Sequence, residues 1–121
     1  MTGTQDHPAP RIFDECDLPH SETAHRFEGH LHGDANVSLF LIDSPRGGGP
    51  GLHTHPNEEV FVIQDGEVTF TVGDAVVEAK SGQIVVVPAG VPHKYANSGA
   101  ERSRHIDIHT SRRMITEWLG E

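Results

Sequence analysis

The sequence predicts an all-β protein whose short strands form a small barrel or a sandwich. Glycine and proline interrupt the chain often, with 13 Gly and 8 Pro among 121 residues. Between these breaks lie β-branched runs such as residues 84–87, read IVVV. Turn signals recur roughly every six to twelve residues and separate about eight strand-like segments, which is typical of all-β barrels and sandwiches.

Length and charge limit what the protein can be. A chain of 121 residues has room for one domain with one hydrophobic core. The net charge of -9 repels phosphate backbones and anionic lipid, so neither nucleic acid nor a membrane is an expected partner. Cys16 is the one cysteine, and no apolar stretch approaches the roughly 18 residues of a membrane span. We therefore expect a cytoplasmic protein.

The first third of the chain has the weakest strand signals. Residues 1–10 contain two prolines and little apolar mass, which predicts a flexible arm, with a single domain over residues 11–121. Strands are predicted at residues 11–13, 23–27 and 37–42. The last of these, VSLFLI, is nearly apolar on both faces, which is typical of an interior strand.

The middle of the chain indicates hairpins. Asp65-Gly66 and Gly73-Asp74 separate three strand-like segments, residues 60–63, 68–72 and 76–79. Such pairs favour the two-residue turns that match strand twist, which predicts an antiparallel meander. Further strands are predicted at residues 84–87, 94–96 and 102–109.

The C-terminal part contains a strictly alternating strand. Three polar side chains share one face of residues 102–109 and two isoleucines share the other; the polar ones are His105, Asp107 and His109. We expect Asp107 and His109 to lie in a pocket or an interface. After this strand, Ser111 can cap a short C-terminal helix with Met114, Ile115 and Trp118 as its apolar stripe, or the segment forms a strand.

A polar cluster precedes the middle strands. In an extended chain His53, His55 and Glu59 point to one side, followed by Phe61 and Ile63. Imidazole and carboxylate together suit first-row divalent metals. The His-x-His pair alone does not decide the matter, because the chain has 10 His and a second such pair, His30-Leu31-His32. We interpret His20, His25, His30 and His32 as surface residues rather than ligands.

Two spaced motifs resemble those of the cupin superfamily. Gly47-x5-His53-x-His55-x3-Glu59-x6-Gly66 is similar to the first cupin motif, and Gly82-x5-Pro88-x-Gly90-x2-His93-x3-Asn97 is similar to the second. Every fixed position of both is matched. The resemblance implies a double-stranded β-helix, or jelly-roll barrel, with a metal inside, and places the ligands on His53, His55, Glu59 and His93.

The implied ligand set indicates an open site with one divalent transition metal per chain. Three imidazoles and a carboxylate leave two positions of an octahedral ion for substrate, or for substrate with dioxygen. Iron is the first choice, with Mn, Ni, Cu and Zn as alternatives. We expect Glu59 to act also as a catalytic residue that accepts a proton. The predicted pocket residues are Phe61, Ile63, Tyr95, Asp107 and His109.

Three functions are compatible with these features. The first is a small metalloenzyme of the dioxygenase type acting on an enolisable or phenolic small molecule. The second is a metal-dependent isomerase, epimerase or lyase, and the third is a module that binds or senses a small molecule without turnover. We also expect a homodimer, with sheet edges covered by the N-terminal segment through Phe27 and by Trp118-Leu119.

Overall fold

The computed structural model describes residues 7–120, and this part of the chain is built almost entirely from strands. Its one helical element is a 3₁₀ turn at Glu15–Asp17. Within these residues no helix has the length and apolar character needed to cross a membrane. The strands are β1 (Ala24–Phe27), β2 (Ser38–Ser44), β3 (His53–Thr54), β4 (Glu59–Asp65), β5 (Glu67–Val72), β6 (Ala75–Lys80), β7 (Ile84–Val87), β8 (His93–Asn97), β9 (Ser103–His109) and β10 (Glu117–Trp118).

These strands form two antiparallel sheets of five strands each. The order is β1-β2-β9-β4-β7 in sheet one and β10-β3-β8-β5-β6 in sheet two. No strand pairing joins the two sheets within residues 7–120. The predicted all-β jelly roll is therefore confirmed, as two facing sheets rather than a barrel closed by hydrogen bonds.

The hydrophobic core fills one end of the space between the sheets. Phe61 of sheet one packs against Phe70 of sheet two, with ring centroids 4.8 Å apart. The buried core residues are Phe61, Ile63, Val68, Phe70, Ala79 and Val87. Strand β4 leads out of this core, because its inward positions change from Ile63 and Phe61 to the buried carboxylate of Glu59.

Strand β9 alternates as predicted, but its polar face is the inner one. Its inward side chains are all at most 2% exposed: Ser103, His105, Asp107 and His109. Ile106 and Ile108 lie on the outer face and are only half-buried. A polar strand face inside a sandwich needs partners for its buried polar groups, so other polar groups are expected close to β9.

The predicted meander is wrong at its first turn. Strands β5 and β6 form the expected hairpin, but β4 pairs with β7 and β9, whereas β5 pairs with β6 and β8. Both edges of β4 are thus occupied by distant strands, and β5 has no free edge to pair with. A register shift between Ile63 and Asp65 and the positive φ of Gly66 redirect the chain into sheet two.

The C-terminal helix is also wrong, and the strand alternative holds. Residues 117–118 pair antiparallel with β3, and the Leu119 amide donates to the Leu52 carbonyl over 3.0 Å. A helix of so few residues is marginal, whereas the edge of sheet two offers partners for the backbone. The expected strand at residues 11–13 does not form either. Of the predicted arm, residues 1–6 lie outside the described chain.

We expect Gly66→Ala to destabilise the fold far more than Gly82→Ala. Both glycines have φ of 88°, but a Cβ at Gly66 would lie 2.9 Å from the Arg102 carbonyl oxygen, whereas at Gly82 it would meet nothing within 4 Å. Gly82→Ala should cost about 1 kcal/mol for the left-handed backbone alone. Gly66→Ala should cost about 3 kcal/mol, because backbone must also move. Urea unfolding measures both, and equal losses would contradict this account.

Candidate metal centre

Four buried side chains meet at the polar end of the sandwich. One ligand atom from each of His53, His55, Glu59 and His93 lies within 4.8 Å of all the others. His53 of β3 and His93 of β8 are direct cross-strand partners in sheet two. Glu59 begins β4 in sheet one and projects toward them, so the cluster joins the two sheets.

Backbone carbonyls fix three of the imidazoles in one orientation. Each Nδ1 lies at hydrogen-bond distance from a carbonyl oxygen: His53 to Gly51 (2.7 Å), His55 to Ile115 (2.8 Å) and His93 to Val91 (2.9 Å). A carbonyl oxygen can only accept, so each Nδ1 must carry the proton and donate it. In the neutral imidazoles the Nε2 atoms are therefore left with free lone pairs.

These lone pairs face the carboxylate of Glu59. Its Oε1 lies 3.1 Å from His93 Nε2 and 3.4 Å from His55 Nε2. Neutral imidazoles in this tautomer have no proton on Nε2 to donate to Glu59. The Nε2 lone pairs and the carboxylate oxygens would therefore repel each other in a buried place unless a cation lies among them. The cluster is thus compatible with binding a metal ion, which suits neutral imidazole nitrogen and carboxylate oxygen.

His109 belongs to the same region but is held differently. Its Nδ1 lies 3.4 Å from the side-chain amide nitrogen of Asn57. Its Nε2 is 3.1 Å from Glu59 Oε2. His109 thus lies beside the Glu59 carboxylate but outside the group of four candidate ligands.

Burial and charge move the pKa values of the cluster apart. Burial lowers the pKa of His53 and His55, so both are neutral at pH 7. Burial also acts to lower the pKa of His93, but the nearby Glu59 carboxylate outweighs it and the pKa is raised. Burial alone would raise the pKa of Glu59, yet His109 and His93 hold it at about 2. Glu59 is thus a permanent anion and a weak base.

A cavity of about 360 Å³ opens onto the cluster. Of the predicted pocket residues, Tyr95, Asp107 and His109 line it. Phe61 and Ile63 do not, because they lie deeper along β4, at most 1% exposed within the hydrophobic core. The polar cluster is therefore the floor of a cavity, and the apolar wall comes from other elements.

The residues of that apolar wall are not among the pocket residues predicted from the sequence. Phe40 and Ile42 of β2 line the cavity, and their alternation within VSLFLI was a usable signal for the inner face. Trp118 and Thr116 line it too, but only the pairing of β10 with β3 brings them there. The indole of Trp118 lies over His53, with ring centroids 5.0 Å apart.

The four N-terminal histidines lie outside the cluster. His20 and His25 face each other at 5.2 Å between ring centroids, and His32 stacks on Phe27 at 5.3 Å. His30 Nε2 lies 3.2 Å from a carboxylate oxygen of Glu28. Within residues 7–120 no second group of His, Cys, Asp and Glu reaches ligand spacing.

Comparison with known proteins agrees with the fold and the motifs. The sequence profile of the family described as "Cupin domain" matches residues 40–109, more than half of the chain. The protein belongs to the cupin family. This cupin is 33% identical over 60 residues to an uncharacterized protein of Streptomyces coelicolor and 30% identical over 84 residues to the HTH-type transcriptional regulator PuuR of Escherichia coli. These matches span 50% and 65% of this chain, and 55% and 44% of the two relatives.

Solved structures share the fold at low sequence identity. An oxalate decarboxylase of Lactobacillus farciminis superposes with a TM-score of 0.80 at 22% identity, over 94% of this cupin and 37% of that chain. An oxalate oxidase superposes with a TM-score of 0.75 at 17% identity, over 89% of this cupin and 63% of that chain. A cupin-like protein of Thermotoga maritima superposes with a TM-score of 0.72 at 21% identity, over 93% of this cupin and 90% of that chain. These likenesses establish the architecture.

Trp118 should report metal binding directly. It is the single tryptophan of the chain and lies against His53, so Ni²⁺ added to metal-free protein should quench its fluorescence and saturate at one ion per chain. His53→Ala should weaken the binding by at least about 100-fold. The control His32→Ala, outside the cluster, should leave it unchanged. Equal titrations of His53→Ala and wild type would exclude His53 as a ligand.

Proposed function

We propose that this cupin is a metal-dependent enzyme of the dioxygenase type that acts on a small enolisable or phenolic molecule. One divalent transition metal would be held by His53, His55, Glu59 and His93. Iron is the first choice, with Mn, Ni, Cu and Zn as alternatives. The observation that carries the proposal is the cavity that ends on this cluster. A closed structural site would have no such access.

The lining of the cavity supports a substrate with an apolar or aromatic part. Phe40, Ile42 and Trp118 provide flat or aliphatic surface, and Tyr95 with Asp107 provides polar contacts. Among the described residues that line it there is no lysine or arginine. A dianion such as oxalate would meet two carboxylates and no cationic side chain. We therefore favour a neutral or singly charged substrate over oxalate.

The residues of the chain divide the remaining tasks. When bound, the metal supplies Lewis acidity and, if redox-capable, electron transfer. Phe40 and Trp118 would hold a ring of the substrate against the cluster, and the Tyr95 hydroxyl would hydrogen-bond to the substrate. The pKa of about 2 favours Glu59 as a ligand over Glu59 as a proton acceptor.

Two alternatives have support of their own. The similarity to PuuR, a transcriptional regulator by name, favours a module that binds a small molecule without turnover. The half-buried Tyr95 and the buried Asp107 beside the cluster favour an isomerase, epimerase or lyase, in which a side chain moves a proton and oxygen takes no part. Oxygen dependence separates the three functions.

Metal affinity should decrease as the pH falls, because the histidine ligands become protonated one after another. The pKa of His93 is raised above its ordinary 6.5, so in metal-free protein His93 protonates first as pH falls. Affinity should be constant well above that pKa and should then decrease about tenfold per pH unit. It should fall more steeply once His53 and His55, whose pKa values are lowered, also protonate. Zn²⁺ competition with a chelator from about pH 8.5 to 5.5 measures this, and a flat profile would be contradictory.

Oxygen consumption tests the proposed reaction. Iron-loaded protein is tested against diketones, catechols and hydroxy acids. At least one of these compounds should cause oxygen consumption, and His53→Ala should lower the rate of that consumption by at least about 100-fold. Conversion of panel members without oxygen would reject the dioxygenase in favour of the isomerase or lyase. If none is converted but one raises the melting temperature, the binding module becomes the better assignment.

We also propose that two copies of the chain pair through the outer face of sheet one. Two aliphatic rows cross this face in register: Leu39, Ile108, Val60 and Val86, then Leu41, Ile106, Val62 and Ile84. Phe27 extends the first row. Ile84 and Val86 are 63% and 54% exposed, so the face needs a cover. Trp118-Leu119, by contrast, lies at the edge of sheet two.

Val86→Glu should convert the dimer to a monomer, because it places a charge within the aliphatic rows. Val76→Glu is the matched control, since Val76 is 66% exposed but lies on β6 of sheet two. Light scattering at micromolar concentration measures both. A monomeric wild type, or a dimeric Val86→Glu, would show that this face is not the interface.

A further inference from the structure

One buried acidic group beside the cluster has no part in holding a metal. Asp107 is 1% exposed, yet it lines the cavity that three of the candidate ligands, His53, His55 and Glu59, also line. Its Oδ1 lies 2.5 Å from His105 Nδ1, and its Oδ2 accepts a hydrogen bond from the Tyr95 hydroxyl over 3.3 Å. Asp107 is therefore held from both sides at the wall of the cavity.

The protonation of this group can be assigned from its surroundings. His105 Nε2 is buried with no hydrogen-bond partner, and its ring lies between Phe61 and Tyr95. A proton on Nε2 would be an unpaired buried donor, so the proton belongs on Nδ1, where it is donated to Asp107. Tyr95 donates as well. Both neighbours are donors, so Asp107 is a carboxylate in the unliganded protein.

The other carboxylate that lines the cavity, Glu59, belongs to the candidate ligand cluster. Both oxygens of Glu59 face imidazole nitrogens, at 3.1 Å from His93 and 3.1 Å from His109. Tyr95 uses its hydroxyl proton toward Asp107. Among the described residues that line the cavity, Asp107 is the only aspartate.

We propose that Asp107 is the catalytic residue that accepts the proton of the bound substrate. This inference rests on the proposed function and adds the proton acceptor to it. The O–H bond of a phenol or enol breaks, a new O–H bond forms at the Asp107 carboxylate, and the electron pair stays on the substrate oxygen. Burial raises the pKa of Asp107, which favours uptake of that proton.

Proton counting tests the inference without turnover. The probe is 4-nitrocatechol, whose absorption spectrum changes as its hydroxyls ionise, bound to Zn²⁺-loaded protein, in which no redox reaction occurs. The spectrum gives the protons that the probe loses. Calorimetry in buffers of different ionisation heat gives the protons that reach the solvent. The difference between the two counts is the number that the protein keeps.

Wild type should keep about one proton per bound probe, and Asp107→Asn should keep none. Asp65→Asn is the matched control, because Asp65 is an exposed residue paired with Arg104 at 2.9 Å, and it should behave as wild type. Equal zinc content of all three proteins shows that the cluster is intact. A wild type that keeps no proton, or an Asp107→Asn that still keeps one, overturns the inference.

A measurement on wild type alone covers the case in which Asp107→Asn does not fold. Probe binding should produce a protonated-carboxyl infrared band that shifts when the protein carries ¹³C-labelled aspartate. Absence of that shift also overturns the inference while leaving the proposed function standing. If the probe does not bind wild type at all, the proposed phenolic substrate is rejected, and the role of Asp107 with it.

Discussion

Three imidazole nitrogens and a carboxylate oxygen face one another in the buried end of this sandwich, with separations of 3.1 and 3.4 Å to Glu59. Hydrogen bonds to backbone carbonyls prevent the imidazoles from turning their protons inward. Such an arrangement is stable only with positive charge among the acceptors, supplied by a metal or by protons. The surrounding strands, loops and outer-sphere residues are placed to keep this unfavourable grouping together.

The sheets divide their inner faces between two tasks. Aromatic and aliphatic side chains close one end, where Phe61 packs on Phe70. The other end holds the charged groups, and β4 passes from one region to the other within a single strand, whereas the inner face of β9 is polar throughout. A rigid core thus sits directly beneath the site and fixes the position of Glu59 and Asp107. That rigidity is what a preorganised centre requires.

The sequence could predict the parts of this site that depend on local spacing. His53 and His93 each contact the carbonyl two residues before them, and the grouping of His105, Asp107 and His109 on one face of β9 follows from period two. What it could not predict depends on distant pairing. The partner of His55 is the carbonyl of Ile115, 60 positions away, and it is placed by β10. For the same reason the sequence predicts a hairpin where the chain in fact crosses from β4 in sheet one to β5 in sheet two.

The most direct test of the account is X-ray absorption spectroscopy of the zinc-loaded protein in solution. The account predicts three imidazole nitrogens and one carboxylate oxygen at about 2.0 to 2.2 Å from the ion, with any further position filled by the oxygen of exchangeable water. Replacing His93 by alanine should remove one imidazole from the spectrum. A spectrum with one or no imidazole, or one that His93→Ala leaves unchanged, would contradict the central claim.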